Sequence, residues 1–107
     1  MDIEKYTIKK VCEHLILIED HLKEFGNDPF FCKLCLKDKH FLALRGYQRE
    51  CEGVCSNQDV WQDLYKWLDK AESKLENLTK EEAKKLAIEA REFRKKIEEE
   101  PVKHLKR

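Results

Sequence analysis

Glycine and proline are nearly missing from this chain, with three and two in 107 residues. So few turn-forming residues argue against an all-β fold, which needs many tight hairpins. They also exclude the collagen-like and the Pro/Gly-rich disordered classes. Asparagine and glutamine are as sparse, at three each. Net charge is absent, because 22 basic residues balance 22 acidic ones. A balanced chain has no broad electrostatic footprint for a phosphate backbone. No apolar run approaches a membrane span, and the charged N-terminal residues do not form a secretory signal. The chain is therefore expected to be cytoplasmic and not membrane-bound. Abundant Glu and Lys with little Asn and Gln lean towards a thermophilic source.

Catalytic signatures are lacking as well. The paired Glu-x-x-His motifs of di-iron bundles do not occur, nor does H-E-x-x-H, nor a Gly-rich phosphate loop. Cys35 is followed by Leu36, which excludes covalent haem attachment. No catalytic residue is assigned, and these absences lean away from an enzyme without deciding the question.

What the chain does contain is helix. Ile8, Val11, Leu15, Ile18, Leu22 and Phe25 recur at spacings of three and four, and Gly26 supplies a stop. Asp28-Pro29 then reads as an N-cap with proline at the first helical position. The second stripe is Leu36, His40, Ala43, Leu44, Tyr47 and Cys51, weakened at Gly46 and ended at Gly53. Ser56 with Asp59 starts a third helix carrying Trp61, Leu64, Leu68, Ala71, Leu75 and Leu78. Thr79 to Glu82 is a capping box opening a fourth helix, with Ala83, Leu86, Ala90, Phe93 and Ile97. Pro101 is expected to close it. These signals predict an all-α, up-and-down four-helix bundle made of two helical hairpins. The helices should span about 3–25, 29–52, 57–77 and 80–99, in one domain over 1–100 with a flexible tail at 101–107. The third and fourth helices keep a seven-residue repeat and should pack as a long hairpin.

Five cysteines in a cytoplasmic chain favour metal binding or buried thiols over disulfides. Cys32 and Cys35 form a C-x-x-C pair, the usual source of two thiolate ligands for zinc. If the first two helices fold back around residue 27, His14 faces His40, and His21 lies level with the cysteine pair. The expected metal site is therefore Cys32, Cys35, His21 and His40, holding Zn²⁺ at the turn of the first hairpin. Glu19, Asp20 or Glu24 could orient a ligating imidazole, and a position early in the helix should favour thiolate at Cys32. The fourth ligand is the difficulty. In a continuous α-helix His40 sits about 140° around from Cys35 and about 7.5 Å further along. His14, Glu24 or water is the alternative, and His14 with His40 could form a separate core pair.

Cys51 and Cys55 give a competing reading, since C-x₂-C-x₁₅-C-x₃-C resembles a linear four-cysteine zinc site. An intact second helix places Cys51 about 24 Å from Cys35, so that site needs a break near Gly46. A Cys51–Cys55 disulfide is a further alternative. Cys12 is expected to fill the core, and His104 in the tail to be inert. The C-x₂-C-x₄-H run also begins a nucleocapsid-type zinc knuckle, but Arg45 stands where the next cysteine belongs.

The segments CEHLILIEDHL and CKLCLKDKH, within residues 12 to 40, resemble a pattern found in small uncharacterised prokaryotic helical proteins. These share Glu-Asp-His-Leu, then Cys-x-x-Cys, then Lys-His. The resemblance implies no activity; it implies that His14, His21, Cys32, Cys35 and His40 belong together.

The expected function is a zinc-stapled module that binds another macromolecule, a protein rather than a nucleic acid. Tyr47, Trp61, Tyr65 and Trp67 are the expected surface anchors, being of the residue class that dominates interfaces. One alternative is a metalloenzyme or redox protein with an open metal position. Another is nucleic-acid binding through the fourth helix and the basic residues Lys95, Lys96, Lys103, Lys106 and Arg107.

Overall fold

A computed structural model describes residues 3–53 and 58–105, and side chains within 5–49, 51 and 59–98. Among the described residues the protein has four helical arms and no strand. The first arm is α1 (Ile3–Glu24). The second is broken into α2 (Pro29–Cys35), a π-helical turn (Leu36–Phe41), α3 (Leu42–Gly46) and α4 (Gln48–Gly53). The third is α5 (Gln58–Lys74) with a 3₁₀ turn at Leu75–Asn77, and the fourth is α6 (Lys80–Leu105).

The punctuation read from the sequence acts as expected. The Phe31 amide donates to Asp28 Oδ1 at 3.2 Å, and Pro29 opens α2, where its missing N–H costs nothing. The capping box forms reciprocally: the Glu82 amide donates to Thr79 Oγ1, and the Thr79 amide to Glu82 Oε1. Between α1 and α2 the Asn27 amide closes on the Glu24 carbonyl at 2.9 Å. A Cβ on Gly26 would meet the Lys80 side chain at 3.0 Å, so this turn lies against the start of α6. Ser56 lies outside the described residues.

Pro101 does not end the last helix, which runs on to Leu105. Proline deletes its own bond to the carbonyl four residues back, but the flanking peptide groups still form theirs.

Helix pairing differs from the expected two hairpins. α6 lies most closely along α1, antiparallel to it, and less closely along α5. Size explains this. α6 presents the buried Ala83, Ala87 and Ala90, which permit close approach, while α5 presents Trp61, Tyr65 and Trp67. α1 is thus the central element, touching α2, the π turn, α3, α4 and α6. Val11, Leu15, Ile18 and Leu22 from α1 fill the core with Leu36, Phe41, Leu44, Leu64 and Leu68.

The second arm holds the main surprise. Both His40 and Phe41 are buried, although they are neighbours in sequence. A π turn closes i→i+5 bonds instead of i→i+4, which accommodates one extra residue. Two consecutive side chains can then enter the core before Leu44 resumes the stripe. A second interruption falls at Tyr47, just after Gly46, where the Tyr47 amide bonds back only three residues, to Leu44.

Candidate metal centre

The hairpin register brings the histidines together. His14 Nδ1 and His40 Nδ1 lie 3.2 Å apart, a hydrogen bond whose donor depends on tautomer. The His21 ring centre is 5.2 Å from that of His40 on its other side, and 6.1 Å from that of Phe31. His40 sits between them at 2% exposure. Burial, then the neighbouring His21, His14 and Lys39, pushes the His40 imidazole down to about 4. Burial lowers His14 as well. Near neutrality both rings are therefore uncharged, the form that ligates metal.

The π turn bears directly on the fourth-ligand difficulty. In an i→i+5 turn the residue above Cys35 is His40, so the 140° offset of a regular helix is largely removed. Even so, among the described residues no three His, Cys, Asp or Glu side chains are arranged to hold a metal ion. His21, Cys32, Cys35 and His40 share one end of the hairpin without forming such a group.

The thiols divide by environment. Cys32 is buried, and desolvation followed by Asp28, Cys35 and Glu24 raises its pKa. The expected thiolate-favouring effect of the α2 N-terminus does not prevail, since burial and the acidic neighbours outweigh one short helix dipole. Cys35 is half-buried. Cys12 is buried against α6, and desolvation with Glu98 pushes it up to about 12. Iodoacetamide at pH 7.5 should therefore modify Cys35 well before Cys12, as peptide mass mapping at intermediate times will show. Early labelling of Cys12 would contradict its placement.

Among the acidic candidates, Glu24 accepts from Asn27 Nδ2 at 2.9 Å and so serves the turn. Glu19 pairs with Lys23 at 2.8 Å. Cys51 is buried against Tyr65 of α5, whose hydroxyl also donates to the Leu44 carbonyl. The break near Gly46 thus seats Cys51 in the core beside α5. Cys55 lies outside the described residues, and with it the Cys51–Cys55 alternative. The side chains of Lys103, His104, Lys106 and Arg107 lie outside them too.

The expected aromatic anchors are not exposed. Trp61, Tyr65 and Trp67 are all buried, and Tyr47 is half-buried. Trp67 packs on Phe93 and its indole donates to Glu89 at 3.2 Å. The exposed large apolar residues are elsewhere. Phe30, Phe31 and Leu34 on α2 are 77%, 54% and 51% exposed, and Leu17 on α1 is also exposed. Sequence reasoning missed them, though α2 has a readable signal. Once Cys32 and Leu36 face inward, helical spacing turns 30, 31 and 34 outward. Among the described residues, no helix is long and apolar enough to cross a membrane.

Comparison with protein-family models, with curated proteins and with solved structures finds no match to this chain.

Proposed function

We propose that the chain is a non-enzymatic helical module whose α1–α2 hairpin binds zinc and which acts by binding another protein. The observation that carries this reading is the division of α2. The helix has seven residues, with Cys32 buried, Cys35 half-buried and Phe30, Phe31 and Leu34 exposed. A helix this short has little stability of its own. A metal held by Cys32, Cys35, His21 and His40 would tie it to α1 and fix the apolar face that it presents. Two thiolates and two imidazoles form a closed tetrahedral set of the kind that favours structural zinc. The paired imidazole rings of His21 and His40 support it: two imidazoles on one tetrahedral zinc, with Zn–N near 2.05 Å, have ring centres about 5 Å apart.

Metal analysis of protein purified without added metal tests the first half. One zinc per chain is expected in the wild type and in Cys51→Ser, and none in Cys32→Ser. No metal in the wild type, or loss only in Cys51→Ser, overturns the hairpin site. The second half predicts that a protein partner retained stoichiometrically by the wild type is lost by the Phe30→Asp/Phe31→Asp variant. Equal retention by that variant would remove α2 as the binding face.

A further inference from the structure

One long face of α1 is covered by neither of its neighbours. α6 packs along one side of the helix and the second arm along the other. Between α1 and α6 runs an open groove of about 480 Å³, lined by the apolar Ile8, Cys12 and Ile16. Lys5, Lys9 and Glu13 of α1 and Glu98 of α6 complete its lining. Ile16 is 41% exposed there, and the exposed Asp20 carries the same face one turn further. We propose that this face is the contact surface of a symmetric dimer, in which α1 of a second copy lies antiparallel across it. The dimer does not depend on the hairpin metal site.

Charge order selects both the partner and its direction. Among the described side chains of this face, Lys5 and Lys9 stand in the N-terminal half, and Glu13 and Asp20 in the C-terminal half. Lys23 is matched within the chain by Glu19 at 2.8 Å. A parallel copy would lay like charges side by side, which disfavours it. An antiparallel copy, turned about a two-fold axis between residues 12 and 13, sets Lys5 opposite Asp20 of the second copy. Lys9 falls opposite Ile16 of that copy, with its Glu13 and Asp20 one turn to either side. Each contact then occurs twice, as an isologous interface requires. Ile16 of the second copy stands over the groove between Lys5 and Cys12, where Ile8 and the lysine stems can bury it. Glu13 also reaches Lys10 of its own chain at 3.6 Å. An exposed pair of this kind contributes little and leaves the carboxylate open to a second lysine.

A contact made by one 22-residue helix and the groove beside it lies at the small end of specific interfaces, so the dimer is reversible and weakened by salt. Sedimentation equilibrium of the full chain, with a metal chelator present, tests it apart from the metal site. The wild type should reach twice the chain mass at low salt and dissociate on dilution or added salt. Lys5→Glu/Lys9→Glu makes the face wholly acidic, and Glu13→Lys/Asp20→Lys makes it wholly basic. Each variant alone should be monomeric, with an unchanged circular dichroism spectrum. Mixed in equal amounts, the two should form a heterodimer, because every like-charged contact becomes an opposite one. Ile16→Asp, a single change at an exposed position, should lose the dimer as well. A wild type that stays monomeric up to about 1 mM leaves the groove to another occupant and overturns the proposal. A dimer retained by both charge variants or by Ile16→Asp lies on another face and overturns it too. Charge variants that stay monomeric on mixing overturn the antiparallel pairing on which it stands.

Discussion

Phe41→Ala should cost about 3–5 kcal/mol of folding stability, while the neighbouring Leu42→Ala should cost less than about 0.5 kcal/mol. Phe41 is fully buried in the core, whereas Leu42 is 64% exposed. Removing a buried phenyl ring loses its transfer free energy and leaves a cavity that close-packed neighbours fill only in part. The contrast also tests the π turn. In a regular helix the inward positions following Leu36 are His40, Ala43, Leu44 and Tyr47, and Phe41 falls beside that stripe. Chemical denaturation of the two variants at neutral pH decides the matter. A small effect at Phe41, or comparable effects at both positions, would mean that the second arm has the regular register.

Acidification of the metal-free protein is the second large effect. The His40 imidazole goes from an ordinary 6.5 in the unfolded chain to about 4 in the fold. Its folded value is depressed, so the unfolded chain binds the extra proton between those limits. Stability is therefore complete above about pH 6.5 and declines as pH falls towards 4. At 1.36 kcal/mol per unit, the loss approaches about 3 kcal/mol from this one residue. The direction follows from the surroundings: the ring is desolvated, and His21, His14 and Lys39 all oppose a positive charge there. Urea melts at several pH values, for the wild type and for His40→Gln, isolate the contribution. The variant should lose the part of the slope between pH 6.5 and 4 that His40 supplies. Parallel pH profiles would show that the ring titrates normally.

Much of this architecture was legible because it is written in local chemistry. Asp28-Pro29 and the Thr79–Glu82 box each satisfy helix-end amides through side chains a few residues away, so a sequence shows them directly. The hairpin register was legible for a related reason: a tight turn at 26–27 fixes which residues of α1 and the second arm face each other. His14 against His40 follows from it. The π turn was not legible, because its stretch Leu36–Phe41 contains neither Gly nor Pro and its single extra residue is an ordinary helix former. It showed only as an angular mismatch between Cys35 and His40. The fate of the aromatics depended on tertiary arrangement. A stripe calculation gives α5 one buried face, but α5 packs against the second arm on one side and α6 on another. Trp61 and Tyr65 can be buried on one of these and Trp67 on the other. The preference of α6 for α1 is likewise a matter of residue size at the contact, which periodicity does not register.

The α1–α6 contact has a consequence for how the chain reaches its fold. The most extensive helix pairing joins residues near the start of the chain to residues near its far end. Helical bundles usually fold fast because their contacts are local in sequence, and this contact is not. During synthesis the α1–α2 hairpin can close while the rest of the chain is still being made. The side of α1 that α6 later covers, however, must wait until α6 has been synthesised. Until then the nascent protein exposes the apolar side of its first helix that α6 covers in the fold.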